Sequence, residues 1–328
     1  MNEPQTLLSI IIPAFNAENY VEKCINKIIP VLENDVECII VDDGSTDNTL
    51  NILRKISVGA SNIKVVSQKN MGVSGARNNA LPNARGIYVC YIDIDDIIDT
   101  GVFRKTIEYL RNNTDEELFI FPHYEGNEKN GFSLKKQLLP EGKNTDLDAL
   151  YRATFSQKLN EPWKKIYRVD LLRSNNVRFP MDMYMGEDVC MFVDYLQAVH
   201  SYIYVDLPYY YYNKNEDSAS ANIKISFIEQ ETKLYRYLDE FICKLSLDKS
   251  LSVENDRLFL HKITRHIAGL VDQRVPKKDI QLSIVKSGAK DRIKQIKCIK
   301  KVDFIRKWLL VNQKYFILTV ILKVFKGK

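Results

Sequence analysis

Tyr88-Val-Cys-Tyr-Ile-Asp-Ile-Asp-Asp-Ile-Ile-Asp99 is the stretch that decides how this chain is read. The apolar run from Ile87 to Ile92 has the length of a buried strand. It delivers Asp93, Asp95 and Asp96 at its carboxyl end, and in open parallel sheets ligands bind outside that end of the strands. Carboxylates crowded together repel one another unless a cation sits between them. A hard divalent ion that also carries a phosphate ligand suits such an all-oxygen set. Taken alone, the stretch is explained equally well as a solvated acidic turn after a strand.

The flanking sequence repeats the same unit. Leu7–Pro13 is a near-continuous apolar run, as expected for a strand buried on both faces. Asn19–Leu32 places Tyr20, Val21, Cys24, Ile25, Ile28 and Ile29 at helical spacing. Val36–Val41 and Ile63–Val66 read as further strands. Helices are expected through about Ile56, over Val73–Ala84 and over Val102–Arg111, with a fifth strand at Leu118–Phe121. Strand–helix alternation with short connections predicts an α/β fold, a parallel doubly wound sheet with its site at the carboxyl edge.

Two more polar loops fall at that edge. Asp42–Asp47 has Gly44 for a tight turn and Ser45 or Thr46 as the expected helix cap; its acids suit a base or ribose, or capping alone. Asn70–Arg77 leads into a helix whose start suits a phosphate, and Arg77 suits a diphosphate, although a surface helix with an exposed arginine reads the same way. Beyond Pro122 the pattern loosens. His123–Thr145 reads as loop or short hairpin, and Leu147–Phe155 and Val189–Val199 as helices. Glu187 and Asp188 stand at the second helix's entry, where they are either dipole-favoured acids or a carboxylate general base. The run Tyr209-Tyr210-Tyr211-Tyr212 reads as a strand rather than a sugar-stacking surface.

In order, Ser9-Ile-Ile-Ile-Pro-Ala-Phe-Asn16, Val41-Asp-Asp-Gly-Ser-Thr-Asp47, Asn70-Met-Gly-Val-Ser-Gly-Ala-Arg77, Tyr91-Ile-Asp-Ile-Asp-Asp96, Trp163-Lys-Lys-Ile-Tyr167 and Gly186-Glu-Asp188 resemble the blocks of family 2 inverting glycosyltransferases. The resemblance spans about residues 7–220. It implies a GT-A fold: a Rossmann-like, mostly parallel sheet flanked by helices. It implies a nucleotide-diphosphate sugar donor, UDP ahead of GDP or dTDP. It implies that Pro13, Phe15, Asp42, Asn70 and Arg77 line the nucleotide pocket, with Asp93 near the ribose or sugar. Asp95 would bind Mn²⁺ or Mg²⁺ bridging the diphosphate. Asp188 would be the catalytic base with Glu187 beside it. The division expected is a transferase domain over residues 1–222 (nucleotide-sugar half 1–122, acceptor half 123–222) and a helical region over 223–328 with a basic amphipathic tail.

Two departures weaken the acceptor side. Relatives often carry an arginine after the tyrosine run, where Asn213-Lys-Asn-Glu-Asp-Ser218 stands here. Lys214 is the substitute for donor binding, but as a point charge rather than a fork. Relatives often have Asn at the position of Lys164.

The composition is globular, 45% hydrophobic and 27% charged over 328 residues. Six scattered cysteines argue against a disulfide framework and for a reducing, cytoplasmic setting. Met1–Thr6 is polar and the apolar run after it is short, so no secretory signal is expected. Charge is uneven: Lys290–Lys328 holds 12 basic and 2 acidic residues, a net of +10 in a chain of +5, which leaves −5 for the remainder. Trp308–Phe325 contains Asn312, Gln313, Lys314 and Lys323, a poor transmembrane span. It suits either an anionic membrane surface on the inner face of the plasma membrane or packing against the domain or a second subunit. Nothing beyond the tail's charge points to nucleic acid.

The reading that follows is a sugar transferase acting on a glycan or lipid-linked acceptor in bacterial capsule, O-antigen or other surface-polysaccharide synthesis. The competing class is a catalytically inactive transferase-like scaffold, against which Asp93, Asp95 and Asp188 speak. A phosphohydrolase would need Thr or Ser soon after its first acid, where Asp96 and Ile97 stand.

Overall fold

The computed structural model describes residues 5–137, 139–214 and 223–326. The reading of Met1–Thr6 therefore lies largely outside the described residues, as does Asn215–Ser218 in the segment after the tyrosine run. The chain divides into two compact units, one of residues 1–154 and 158–215, the other of residues 155–157 and 216–328.

The first unit runs β1 (Leu8–Ala14), α1 (Val21–Ile28), β2 (Val36–Asp42), α2 (Thr49–Ser57), β3 (Ile63–Ser67), α3 (Gly72–Ala80), β4 (Tyr88–Tyr91), β5 (Ile97–Ile98), α4 (Thr100–Arg111), β6 (Leu118–Ile120), β7 (His123–Asn127), β8 (Gly131–Lys135), β9 (Gly142–Asn144), α5 (Asp148–Phe155), β10 (Lys165–Arg168), α6 (Val169–Ser174), α7 (Glu187–Leu196), β11 (Tyr202–Tyr204) and β12 (Tyr210–Asn213). Eight strands form one sheet in the order β3-β2-β1-β4-β10-β6-β11-β9. Every residue of β1 and β2 is buried, as befits central parallel strands covered on both faces. Their register sets Ala14 beside Asp42 and Asp42 beside Ser67, so the carboxyl ends of β1, β2 and β3 finish level. β4 pairs Ile11 with Tyr91, which brings the acidic turn to the same edge.

The sheet is not uniformly parallel. β10 lies antiparallel between β4 and β6, a strand hidden in the Trp163–Tyr167 block. Lys165-Ile-Tyr-Arg168, with a cation at each end, does not declare itself as a strand, still less its direction. The polar stretch after Pro122 forms the β7–β8 hairpin of a second sheet, β5-β12-β7-β8. The tyrosine run is its strand β12, paired with β5 and β7. The expected Ser45 or Thr46 cap does not form. α2 begins at Thr49, whose N–H donates to Asp47 Oδ1 at 3.0 Å, and Asp47 precedes the helix rather than entering it.

The second unit is helical: α8 (Phe227–Lys244), α9 (Lys249–Asp272), α10 (Lys277–Lys286), α11 (Ala289–Gln295), α12 (Lys301–Val311) and α13 (Tyr315–Lys326). Phe227, Leu234, Leu238 and Phe241 are buried on one stripe of α8, which packs on α9. α12 and α13 also pack on α9, through Leu309, Leu310, Tyr315 and Leu318. Ile305, Trp308, Phe316 and Val320, which share the helical spacing of the core residues, are exposed instead. No helix among the described residues is long and apolar enough to cross a membrane.

Candidate active site

The loops after β1, β2 and β3 are bonded into one edge. Asp42 is buried at the end of β2; its carboxylate accepts from Ser67 Oγ at 3.2 Å and from the Ser45 N–H at 3.4 Å. Asp43, also buried, accepts through one oxygen from the Met71 N–H at 2.8 Å and from Gln68 Nε2 at 2.7 Å. Gly44 has φ +74°, and a Cβ there would stand 2.8 Å from the Asn70 backbone nitrogen, so the two loops touch at a position only glycine fills. Asn16, itself at φ +47°, accepts from the Thr46 N–H at 2.8 Å. Pro13 is buried beneath these loops, whereas Phe15 and Asn70 are exposed on them.

At the centre is Arg77. Helix α3 carries it into the interior, where it is 3% exposed. One terminal nitrogen donates to Asp93 Oδ1 at 2.8 Å and the other to Asp188 Oδ1 at 2.7 Å. Its guanidinium also lies against the Phe179 ring, 5.1 Å from the centroid, and near that of Tyr91 at 6.0 Å. The expected arginine for an open diphosphate pocket is thus a buried bridge between the end of β4 and the start of α7. Burial works against the Arg77 charge, but Asp188 and Asp93 more than offset it and hold its pKa above the usual range.

Asp188 sits in the first turn of α7, after Gly186 at φ +85°. Burial pushes its carboxyl up to about 7; Arg77 opposes the shift, and Glu187 and Asp93 add to it. Glu187 is also raised by burial. A carboxylate with a pKa in this range can accept a proton near neutral pH and release it again.

Asp96 has a different task. It is buried, accepts from the Tyr210 hydroxyl, and accepts from the Asn213 N–H at 2.8 Å. Burial and the neighbouring Asp93 push its carboxyl up to about 8, against those hydrogen bonds. Tyr210 also accepts from the Asp93 N–H at 3.2 Å and stacks on Trp163 with centroids 4.3 Å apart and planes at 4°. Trp163 stacks again on Tyr212, at 5.6 Å. Beside them Lys164 is buried, paired with Glu161 and donating to the Lys158 carbonyl at 2.9 Å. Lys165 is fully buried, donating to the Leu159 and Glu161 carbonyls, and burial drives its pKa well down.

The structure therefore gathers Asp42, Arg77, Asp93, Asp95, Glu187 and Asp188 at the carboxyl edge of the sheet. Lys214 is engaged elsewhere: its ammonium pairs with Glu125 and its N–H donates to the Gly126 carbonyl at 2.7 Å. Trp163, Tyr210 and Phe179 are residues the sequence did not assign to the site, and Asp43 and Asp96 were read there only as members of acidic loops. Tyr210 and Tyr212, one strand period apart and both on the Trp163 face, were the available signal. Asp95 is half-buried. Among the described residues no three His, Cys, Asp or Glu side chains converge as a metal cage.

The profile of glycosyl transferase family 2 matches residues 9–172, half of the chain. The chain belongs to this family. It is 26% identical to the uncharacterized glycosyltransferase EpsJ of Bacillus subtilis over 65% of this chain and 62% of that protein. It is 28% identical to the poly(ribitol-phosphate) beta-N-acetylglucosaminyltransferase TarS of Staphylococcus aureus, over 79% of this chain and 44% of TarS. The chain thus spans less than two thirds of these relatives' lengths. The solved complex of S. aureus TarS residues 1–349 with UDP-GlcNAc superposes with a TM-score of 0.65 at 23% identity, covering 89% of this chain and 82% of that one. A mannosyltransferase of Pyrobaculum calidifontis, solved with GDP-Man and Mn²⁺, superposes with a TM-score of 0.55 at 15% identity over 99% of this chain and 89% of that one. These likenesses establish the GT-A fold.

Proposed function

We propose that this family 2 glycosyltransferase moves a hexosyl or N-acetylhexosaminyl group, with inversion, from a nucleotide-diphosphate sugar, a UDP-sugar ahead of others, to a hydroxyl of a cell-surface polysaccharide or its lipid-linked precursor. The observation that carries the reading is the Asp93–Arg77–Asp188 bridge. It joins Asp188, whose carboxyl burial raises to about 7, to Asp93 at the acidic end of β4, which supports reading Asp188 as the proton acceptor. The polysaccharide relatives and the UDP-GlcNAc complex of TarS support the donor class.

In this reading Asp188 takes the acceptor hydroxyl's proton as its oxygen bonds to the anomeric carbon. The bond from that carbon to the diphosphate oxygen breaks, and its electron pair leaves with the nucleoside diphosphate. One displacement inverts the centre and needs no protein nucleophile. Arg77 holds Asp188 in place. Asp42 receives the base or ribose at the floor, with Pro13, Phe15 and Asn70 around it, and Asp93 takes the ribose or sugar. Asp95 would hold Mn²⁺ or Mg²⁺. Its fit rests on chemistry: one or two carboxylates with the diphosphate's own oxygens make such a site, and no standing protein cage is required. When bound, that ion would stabilise the charge on the departing diphosphate.

Release of nucleoside diphosphate from a panel of nucleotide sugars, with Mn²⁺ or chelator, tests the reading in wild type and Asp95→Ala. Slow hydrolysis of one donor with metal, lost in the variant, is expected. If no donor binds or turns over, the inactive-scaffold reading replaces it.

A further inference from the structure

We propose that α12 and α13, together with the basic cleft at their junction, form a docking surface for an anionic lipid bilayer. Both helices carry a second apolar face on the outside, besides the one packed on α9. On α12, Val302, Ile305 and Trp308 recur every third residue, and all are exposed, Trp308 by 53%. The one acid of that helix, Asp303, is buried and paired with Arg306 at 3.0 Å. On α13, Phe316 is 73% exposed, with Ile317, Val320 and Val324 also outward. A helix in a water-facing position keeps its polar stripe outside. Here the outward stripes are aliphatic and aromatic, and the exposed Lys297, Lys300, Lys301 and Lys314 stand at or just before the helix starts.

The cleft supplies an independent observation. It has a volume of about 360 Å³ and opens where α9, α10 and α13 meet. Arg274, Lys277 and Lys314 line it, with Val271, Ile280 and Phe316 as its apolar wall. Three cations over an apolar wall suit a phosphodiester with acyl chains attached. Phe316 belongs both to this wall and to the exposed stripe, so headgroup and chains would meet one continuous surface.

Charge selects the occupant. From Lys297 to Lys328 there are nine basic residues and one acid, the buried Asp303. A symmetric contact with a second copy would set this patch against itself, cation to cation. An anionic bilayer offers the opposite charge and a hydrocarbon boundary for the aromatic side chains.

The test is co-sedimentation of the full chain with vesicles of phosphatidylglycerol and phosphatidylcholine in about equal parts, and with phosphatidylcholine alone. Binding to the first, weakened by salt and absent with the second, is expected. Arg274→Gln/Lys277→Gln/Lys314→Gln removes three charges and is expected to lower partitioning about a hundredfold, as each basic residue near the surface contributes roughly fivefold. Ile305→Ser/Trp308→Ser/Phe316→Ser is expected to lower it by roughly tenfold or more. Both sets lie at exposed positions, and unchanged thermal melting would exclude misfolding. Absence of binding to the anionic vesicles overturns the proposal. So does binding that both variants retain. A lipid-free dimer that the apolar variant converts to monomer would also overturn it, by assigning the face to a second copy.

Discussion

In the sheet unit, carboxylates lie inside: Asp42, Asp43 and Asp96 are each less than a tenth exposed, and every one is held by named donors. In the helical unit, apolar side chains lie outside, on two successive helices, while an aspartate is turned in. Both arrangements invert the usual partition, at opposite ends of the chain. Burying a charge costs several kcal/mol unless it is paired and hydrogen-bonded. The sheet unit meets that cost with a lattice of bonds that fixes geometry. An outward apolar stripe carries no such bonds, and it gains only when something covers it. The first inversion predicts positioned chemistry, the second a surface waiting for a partner phase.

The largest break in this comparison is expected at Asp188. Asp188→Asn lowers kcat by on the order of a thousandfold, the scale of a lost general base, while donor affinity by calorimetry is retained. Transfer at the wild-type rate would remove Asp188 from that role. Next, Arg77→Leu leaves two inward carboxylates without their shared cation. It is expected to destabilise the fold by about 3–5 kcal/mol in urea unfolding. Arg77→Lys should recover only part, because an ammonium cannot reproduce the two-pronged geometry.

The pH dependence sharpens the same point. Asp188 must be ionised to accept a proton, so kcat/KM should fall about tenfold per pH unit as pH drops below its pKa, raised by burial to about 7. The stability contribution of this group runs the other way. Its folded pKa stands above the ordinary 3.8, so the folded state holds the proton between the two values. That contribution is therefore fully present at low pH and is lost as pH rises toward the folded pKa. A smaller effect is expected from Tyr210→Phe, which strips one donor from Asp96 and should cost about 1–3 kcal/mol. Smallest of all, Trp308→Ser should leave lipid-free unfolding within about 0.5 kcal/mol, as for other exposed positions. A large loss there would mean that the outward stripe is packed, and the contrast between the units would fail.

Much of this arrangement was legible in the sequence. β1, β2 and β4 declare themselves because strands buried on both faces read as near-continuous apolar runs, and the carboxyl ends of β2 and β4 carry the acids. The tyrosine run was legible as a strand from its composition. β10 was not, because Lys165, although fully buried, reads as a surface residue until its ammonium is seen on the Leu159 and Glu161 carbonyls. The role of Arg77 was half legible. Its place beside the site follows from the loop that carries it, but the two carboxylates it joins come from positions 16 and 111 residues away. Only tertiary folding brings them together. Asp96 was seen as one of three similar acids, and its separate duty depends on Tyr210 and Asn213, more than 100 residues onward. On α12 and α13 the periodicity marked the helices correctly but not which stripe faces the protein, since both stripes are apolar enough to be core.

Because one guanidinium serves both Asp93 and Asp188, the two halves of the proposed site share a thermodynamic ledger. A donor that draws Asp93 away from Arg77 leaves that cation more fully to Asp188 and lowers the latter's proton affinity. Linkage is reciprocal, so protonating Asp188 must alter donor affinity by the same factor. Proton release on donor binding, read as a buffer-dependent heat, would report that communication without any acceptor present.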